Sequence, residues 1–102
     1  MYGLISQIKA APGQREALIA ILIAGSAGMP GCLSYIVAQD RADPEAIWVS
    51  EVWQDPESHQ ASLALASVQE AIAQGRALIA GVGERIETIP IGGQGLPDDQ
   101  AE

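Results

Sequence analysis

The residues able to do chemistry are concentrated in one stretch. Trp48-Val49-Ser50-Glu51-Val52-Trp53-Gln54-Asp55-Pro56-Glu57-Ser58-His59-Gln60-Ala61-Ser62-Leu63 holds both tryptophans, the single histidine, a carboxylate inside a predicted strand and several hydroxyls. Imidazole ordinarily titrates near neutral pH, so His59 is the best general base the sequence offers. A Ser-His-Asp set can be spelled from Ser62, His59 and Asp55. No nucleophile elbow accompanies it, and the three lie on about two turns of one predicted helix, which is poor triad geometry. Glu51 is costly in mid-strand unless paired, so it reads first as a salt-bridge partner of Lys9 or Arg85. His59 has a plain alternative too, as a polar residue on an exposed first helical turn. Trp53 has one as a core or interface anchor.

These side chains must be positioned by a small aliphatic domain. The chain has 102 residues, 48% hydrophobic and 18% charged, which fits one globular domain. Phe is absent and the aromatics are two Trp and two Tyr, so the core must be built from Ala, Ile, Leu and Val. A formal net charge of −8 repels nucleic-acid phosphates and anionic lipid surfaces. With one Cys, Cys32, and one His, the chain can form no internal disulfide and no zinc site of Cys/His composition. Cys32 reads as a small buried hydrophobe. The N-terminus lacks the pattern of a secretory leader, and the apolar run from Ala17 to Ala24 is far short of the roughly 20 residues of a membrane span. A cytoplasmic protein is the expectation.

Tyr2 to Ala10 partly alternates apolar and polar residues and stops at Ala11-Pro12-Gly13, predicting a strand. Pro12 suits the first turn of a following helix, and Gln14 to Gly25 carries Leu18, Ile19, Leu22 and Ile23 at helical spacing. Cys32 to Gln39 and Ala46 to Gln54 predict a hairpin across Asp40-Arg41-Ala42-Asp43-Pro44. In the second of these strands Ile47, Val49, Glu51 and Trp53 share one face and Trp48, Ser50, Val52 and Gln54 the other, so the two indoles point apart. Asp55-Pro56-Glu57 is an N-cap signal. Ser67 and Glu70 have capping-box spacing, predicting that the helix restarts at Ser67, with Val68, Ile72 and Ile79 on one face. Gly81 and Gly83 read as an interruption before a last strand, Glu84 to Ile91. Neither Gly81-Val82-Gly83 nor Gly92-Gly93-Gln94-Gly95 has the lysine or context of a phosphate loop, so both read as turns.

The order β-α-β-β-α-α-β predicts an α+β, ferredoxin-like fold, a four-stranded antiparallel sheet with helices on one face. Apolar residues at both parities of the strands (Leu33 and Ile36, Ile47 and Val52) demand a cover for the other face, so a homodimer is expected. The domain is expected over residues 1–91, with residues 92–102 a polar, acidic tail that serves solubility.

Glu51-Val52-Trp53, then Asp55, Ser58-His59 and Ser62-Leu63, resemble the antibiotic biosynthesis monooxygenase domain family. Pro12-Gly13, Pro30-Gly31-Cys32 and Arg85 extend the resemblance over roughly residues 1–91. It implies a dimeric α+β barrel, in some members a cofactor-independent oxygenase of quinols, anthrones and related polyphenols. Deprotonation makes such a substrate electron-rich enough to pass an electron to O₂, so the protein needs a base, oxyanion stabilisation and a dry cavity. On this reading His59 is the base, Trp53 and Tyr35 line the pocket, and Ser62 binds substrate or the imidazole. Arg76 or Arg85 would stabilise the phenolate. No cofactor, metal or nucleic-acid partner is expected. The haem-degrading branch uses an Asn in the first strand where this chain offers Ser6 and Gln7, which argues against haem chemistry. The alternatives are a non-catalytic dimeric module binding a small molecule, and a barrel isomerase of phosphorylated or keto compounds. The isomerase needs cations in the pocket, and the chain has only 5 Lys and Arg.

Overall fold

The computed structural model describes residues 1–97. The elements are β1 (Tyr2–Ala10), α1 (Arg15–Gly25), β2 (Cys32–Gln39), β3 (Ala46–Trp53), α2 (Pro56–Ser62), α3 (Ala66–Arg76) and β4 (Ile79–Thr88). The four strands form one antiparallel sheet in the order β2-β3-β1-β4, the ferredoxin-like α+β arrangement expected. β1 is central, and its register pairs Tyr2 with Trp53, Leu4 with Glu51 and Ile8 with Ile47. The acidic residues expected to serve solubility, Asp98 to Glu102, lie outside the described residues.

The core sits between the sheet and α1. Ala10, Leu18, Ile47 and Val49 are buried together, and Trp53 and Leu4 are buried on the same face. Full burial of one such aliphatic side chain contributes about 2 kcal/mol. The α1 stripe is narrower than its spacing predicts: Leu18 is buried, whereas Ile23 is 56% exposed. Pro12 is not helical; it stands in the turn closed by Gln14 N–H donating to the Ala11 carbonyl, and α1 begins at Arg15.

Two local expectations are corrected. α3 begins at Ala66 after Leu65, with no side-chain cap, so Ser67 is already inside the helix and the Ser67–Glu70 capping box does not form. β4 starts at Ile79 rather than Glu84 and ends at Thr88, and Gly81 and Gly83 lie within it. The ladder with β1 runs through this stretch, Gly81 pairing with Lys9 and Ile79 with Ala10. β4 is bulged against β1 between Ser6 and Ile8, and a Cβ at residue 83 would overlap the Gln7 side chain. Glycine there permits close approach of two strands, not a turn.

Candidate functional site

β3 and α2 bring the chemistry together. Glu51 and Trp53 are two residues apart on β3 and face the helices. The chain then turns into α2, where the Asp55 carboxylate accepts the Ser58 N–H at 2.7 Å and Pro56 occupies the first helical turn. That cap sets the phase of the helix and turns His59 back over β3. The imidazole stands 5.5 Å, centroid to centroid, from the Trp53 indole at 72° and 5.5 Å from the Tyr2 ring. Its Nε2 is 3.9 Å from Glu51 Oε1, with the two side chains only 15% and 11% exposed.

Glu51 therefore pairs with neither residue that the sequence pointed to. Lys9 is engaged by Asp43, and Glu51 Oε1 accepts the Trp53 Nε1–H at 3.0 Å. The register explains the difference. Lys9 opposes Ala46, five residues along β3 from Glu51. Burial pushes the Glu51 carboxyl above the usual carboxylate range, with the Trp53 N–H, His59 and Arg85 acting in the opposite direction. Burial likewise pushes the Tyr35 phenol well up from the ordinary range, which favours its neutral hydroxyl form.

These groups line a cavity of about 500 Å³ between the sheet, α1 and α3, with Ile8, Leu18, Leu22, Val68 and Ile72 forming most of its aliphatic wall. Of the residues singled out from sequence, Tyr35, Trp53, His59, Ser62 and Arg76 all line it. Arg85 does not: it is exposed on edge strand β4, outside the lining. The Ser62 hydroxyl, buried, donates to the His59 backbone carbonyl at 2.6 Å instead of to the imidazole. Cys32 is half-buried beside the site, not fully buried. Sequence reasoning gave Glu51 a structural role and passed over Tyr2, whose hydroxyl donates to Glu87 Oε2 at 2.7 Å beside the imidazole. The signal for Tyr2 was the β1–β3 register, which sets it opposite Trp53. Among the described residues, no group of three His, Cys, Asp or Glu could hold a metal ion, and no helix is long and apolar enough to cross a membrane.

A carboxyl and an imidazole stand 3.9 Å apart on the wall of a mostly aliphatic cavity, a setting in which a proton can be exchanged with a bound molecule. The model of the antibiotic biosynthesis monooxygenase family matches residues 1–74. The chain belongs to that family. A solved structure described as a "putative Antibiotic biosynthesis monooxygenase from Chloroflexus aurantiacus J-10-fl" superposes with a TM-score of 0.92 at 64% identity, covering 94% of this chain and 98% of that one. PA3566 from Pseudomonas aeruginosa gives 0.77 at 29% identity over 89% of this chain and 94% of that one. A further structure from Deinococcus radiodurans, under the same family description, gives 0.73 at 24% over 91% and 100%, a likeness of fold. A search of the curated proteins finds no match.

Proposed function

We propose that this member of the antibiotic biosynthesis monooxygenase family is a cofactor-independent oxygenase that oxidises a quinol, anthrone or similar polyphenol with O₂. The observation that carries the reading is the His59–Glu51 pair in the wall of a mostly aliphatic cavity that Trp53 and Tyr35 also line. His59 accepts the proton of a substrate hydroxyl. Glu51 stands against the imidazolium that results, offsetting its charge where little water can do so. Trp53 and Tyr35 provide flat walls for an aromatic ring, and the Tyr35 O–H remains a donor toward developing negative charge. Ser62 acts indirectly, by tying down the His59 backbone. Electron transfer from the bound anion to O₂ is then the substrate's own chemistry.

Two copies are proposed to pack through their open sheet faces, where a row running Ile36, Ser50, Ile5 and Ile86 crosses all four strands. Ile36 and Ile86 are 57% and 47% exposed on that face. The same reading takes residues 1–91 as the domain and residues 92–102 as its tail. It also sets the protein in the cytoplasm, whose reducing conditions suit its lone thiol, Cys32.

The test is oxygen uptake against hydroquinones, anthrones and hydroxylated naphthalenes, with autoxidation subtracted and no flavin or metal added. The wild type is expected to accelerate uptake, and His59→Ala to lose about a hundredfold in kcat/KM. Tight binding of the same compounds without uptake would instead identify a binding module.

A further inference from the structure

The residues lining the cavity extend from Glu51 on β3 to Ile79 on β4, and the two ends of this lining differ in chemistry. Its proton-handling end lies at Glu51, which opposes Leu4 on β1, while its far end reaches Ile79, which opposes Ala10. Six strand residues at ~3.3 Å each separate these levels by about 20 Å. α3 runs the same way: Val68 and Arg76 both line the cavity, and eight helical residues set them about 12 Å apart. Arg76, the last residue of α3, follows Gly75, which packs on Leu18. It is the one Lys or Arg among the described lining residues. No described carboxylate lies within 4.0 Å of it, although the chain carries 13 Asp and Glu against 5 Lys and Arg. Between the two ends the wall is aliphatic.

The geometry points to an elongated hydroxyaryl carboxylate as the ligand class, with its hydroxyl at His59 and Glu51 and its carboxylate on the Arg76 guanidinium. The hydroxyl end rests on the oxygenase reading above; the carboxylate end rests on Arg76 alone. A guanidinium matches a carboxylate in two parallel hydrogen bonds, and the aliphatic wall between holds a flat apolar body. In a chain of net charge −8, the bulk field disfavours any anion, so retention of an acidic ligand depends on this local cation. Arg76 then selects orientation as well as charge. The ligand enters with its reacting hydroxyl deep and its acid at the exposed end of α3.

The test measures binding rather than turnover, with two phenols that do not autoxidise. Calorimetric titration of the wild-type protein with 4'-hydroxybiphenyl-4-carboxylate and with 4-hydroxybiphenyl is expected to show the acid binding about tenfold more tightly, the size of one charge-assisted contact. Arg76→Gln is expected to erase that difference between the two phenols; Arg76→Lys should retain part of it, and added salt should reduce it. Equal affinities in the wild type, an acid preference that survives Arg76→Gln, or no binding of either phenol would each overturn the proposal. None of these bears on oxygen uptake from neutral hydroquinones, so the oxygenase reading stands or falls separately.

Discussion

Glu51 shows how one residue can be expensive and useful at once. Folding takes its carboxyl largely out of water and raises its pKa, so the folded state binds the proton more tightly than the unfolded chain. The stability Glu51 lends is therefore present in acid and is lost as pH rises from the ordinary carboxylate range through the raised value. Glu51→Gln keeps an oxygen to accept the Trp53 N–H and removes the charge. It is expected to raise Tm at pH 7, with the gain vanishing in acid, and to lower kcat/KM by roughly ten- to a hundredfold as the imidazolium loses its counter-charge. A lower Tm at pH 7 would mean that the ionised carboxylate stabilises the fold and that its burial is not the net cost argued here, whereas an unchanged kcat/KM would remove the counter-charge role. At this scale the sequence was informative where residue type decides. The lone imidazole and the strand aromatics are rare in this composition, and the structure brings His59, Trp53 and Tyr35 to one wall. It was uninformative where pairing decides. Glu51, Lys9 and Arg85 could be matched in several ways until strand register set Lys9 opposite Ala46, where Asp43 of the preceding loop engages it, and left Arg85 exposed.

Among the elements, α2 does most to aim the site, and it is held from both sides. Asp55 caps it, and Gly31, before β2, lies against Ser58 with its N–H-to-carbonyl partner Gln54 at 2.9 Å, Gln54 donating. Gly31 has φ of 79°, and a Cβ there would overlap the Ser58 side chain next to His59. Gly31→Ala is therefore expected to cost about 2 kcal/mol from backbone strain and crowding. It should also lower oxygen uptake more than the stability loss explains, because α2 must move to relieve the overlap. Chemical denaturation and uptake on the folded fraction measure the two effects; an uptake unchanged per folded molecule would show that α2 tolerates the shift. The Asp55-Pro56 start of this helix was readable because a cap is satisfied within its own turn. The boundaries of α3 and β4 were not. Ser67 has the spacing of a cap but sits inside a helix that starts at Ala66, and Gly83 has the composition of a turn but lies within β4 against the Gln7 side chain of another strand.

For the whole molecule, the unfinished part is the sheet face away from the helices. Helices cover one side only, yet Ile5, Ile36, Val52 and Ile86 project from the other, and Ile89 and Ile91 continue beyond β4 at 79% and 75% exposure. Trp48, on the same face, is held in place by its indole N–H donating to Asp40 at 2.7 Å, so the surface is preorganised as well as apolar. On the reading proposed above, a second copy covers this largely apolar face with the same face of its own, across a two-fold axis. A stable dimer of this size buries about 1,600 Å² in total, which one sheet face per partner can provide. The wild type is expected to scatter light as a particle of twice its 10.6 kDa mass at micromolar concentration. Ile86→Glu puts a charge on each side of the axis in an already acidic chain and is expected to yield monomers, with a Tm that no longer rises with protein concentration. Because Ile86 lies on the face opposite the cavity, the monomeric variant also separates assembly from chemistry. Retained binding of a phenol by the monomer would place the whole cavity within one chain, whereas its loss would make the second copy part of the site. A wild type that scatters as a monomer would remove the dimer from the reading altogether.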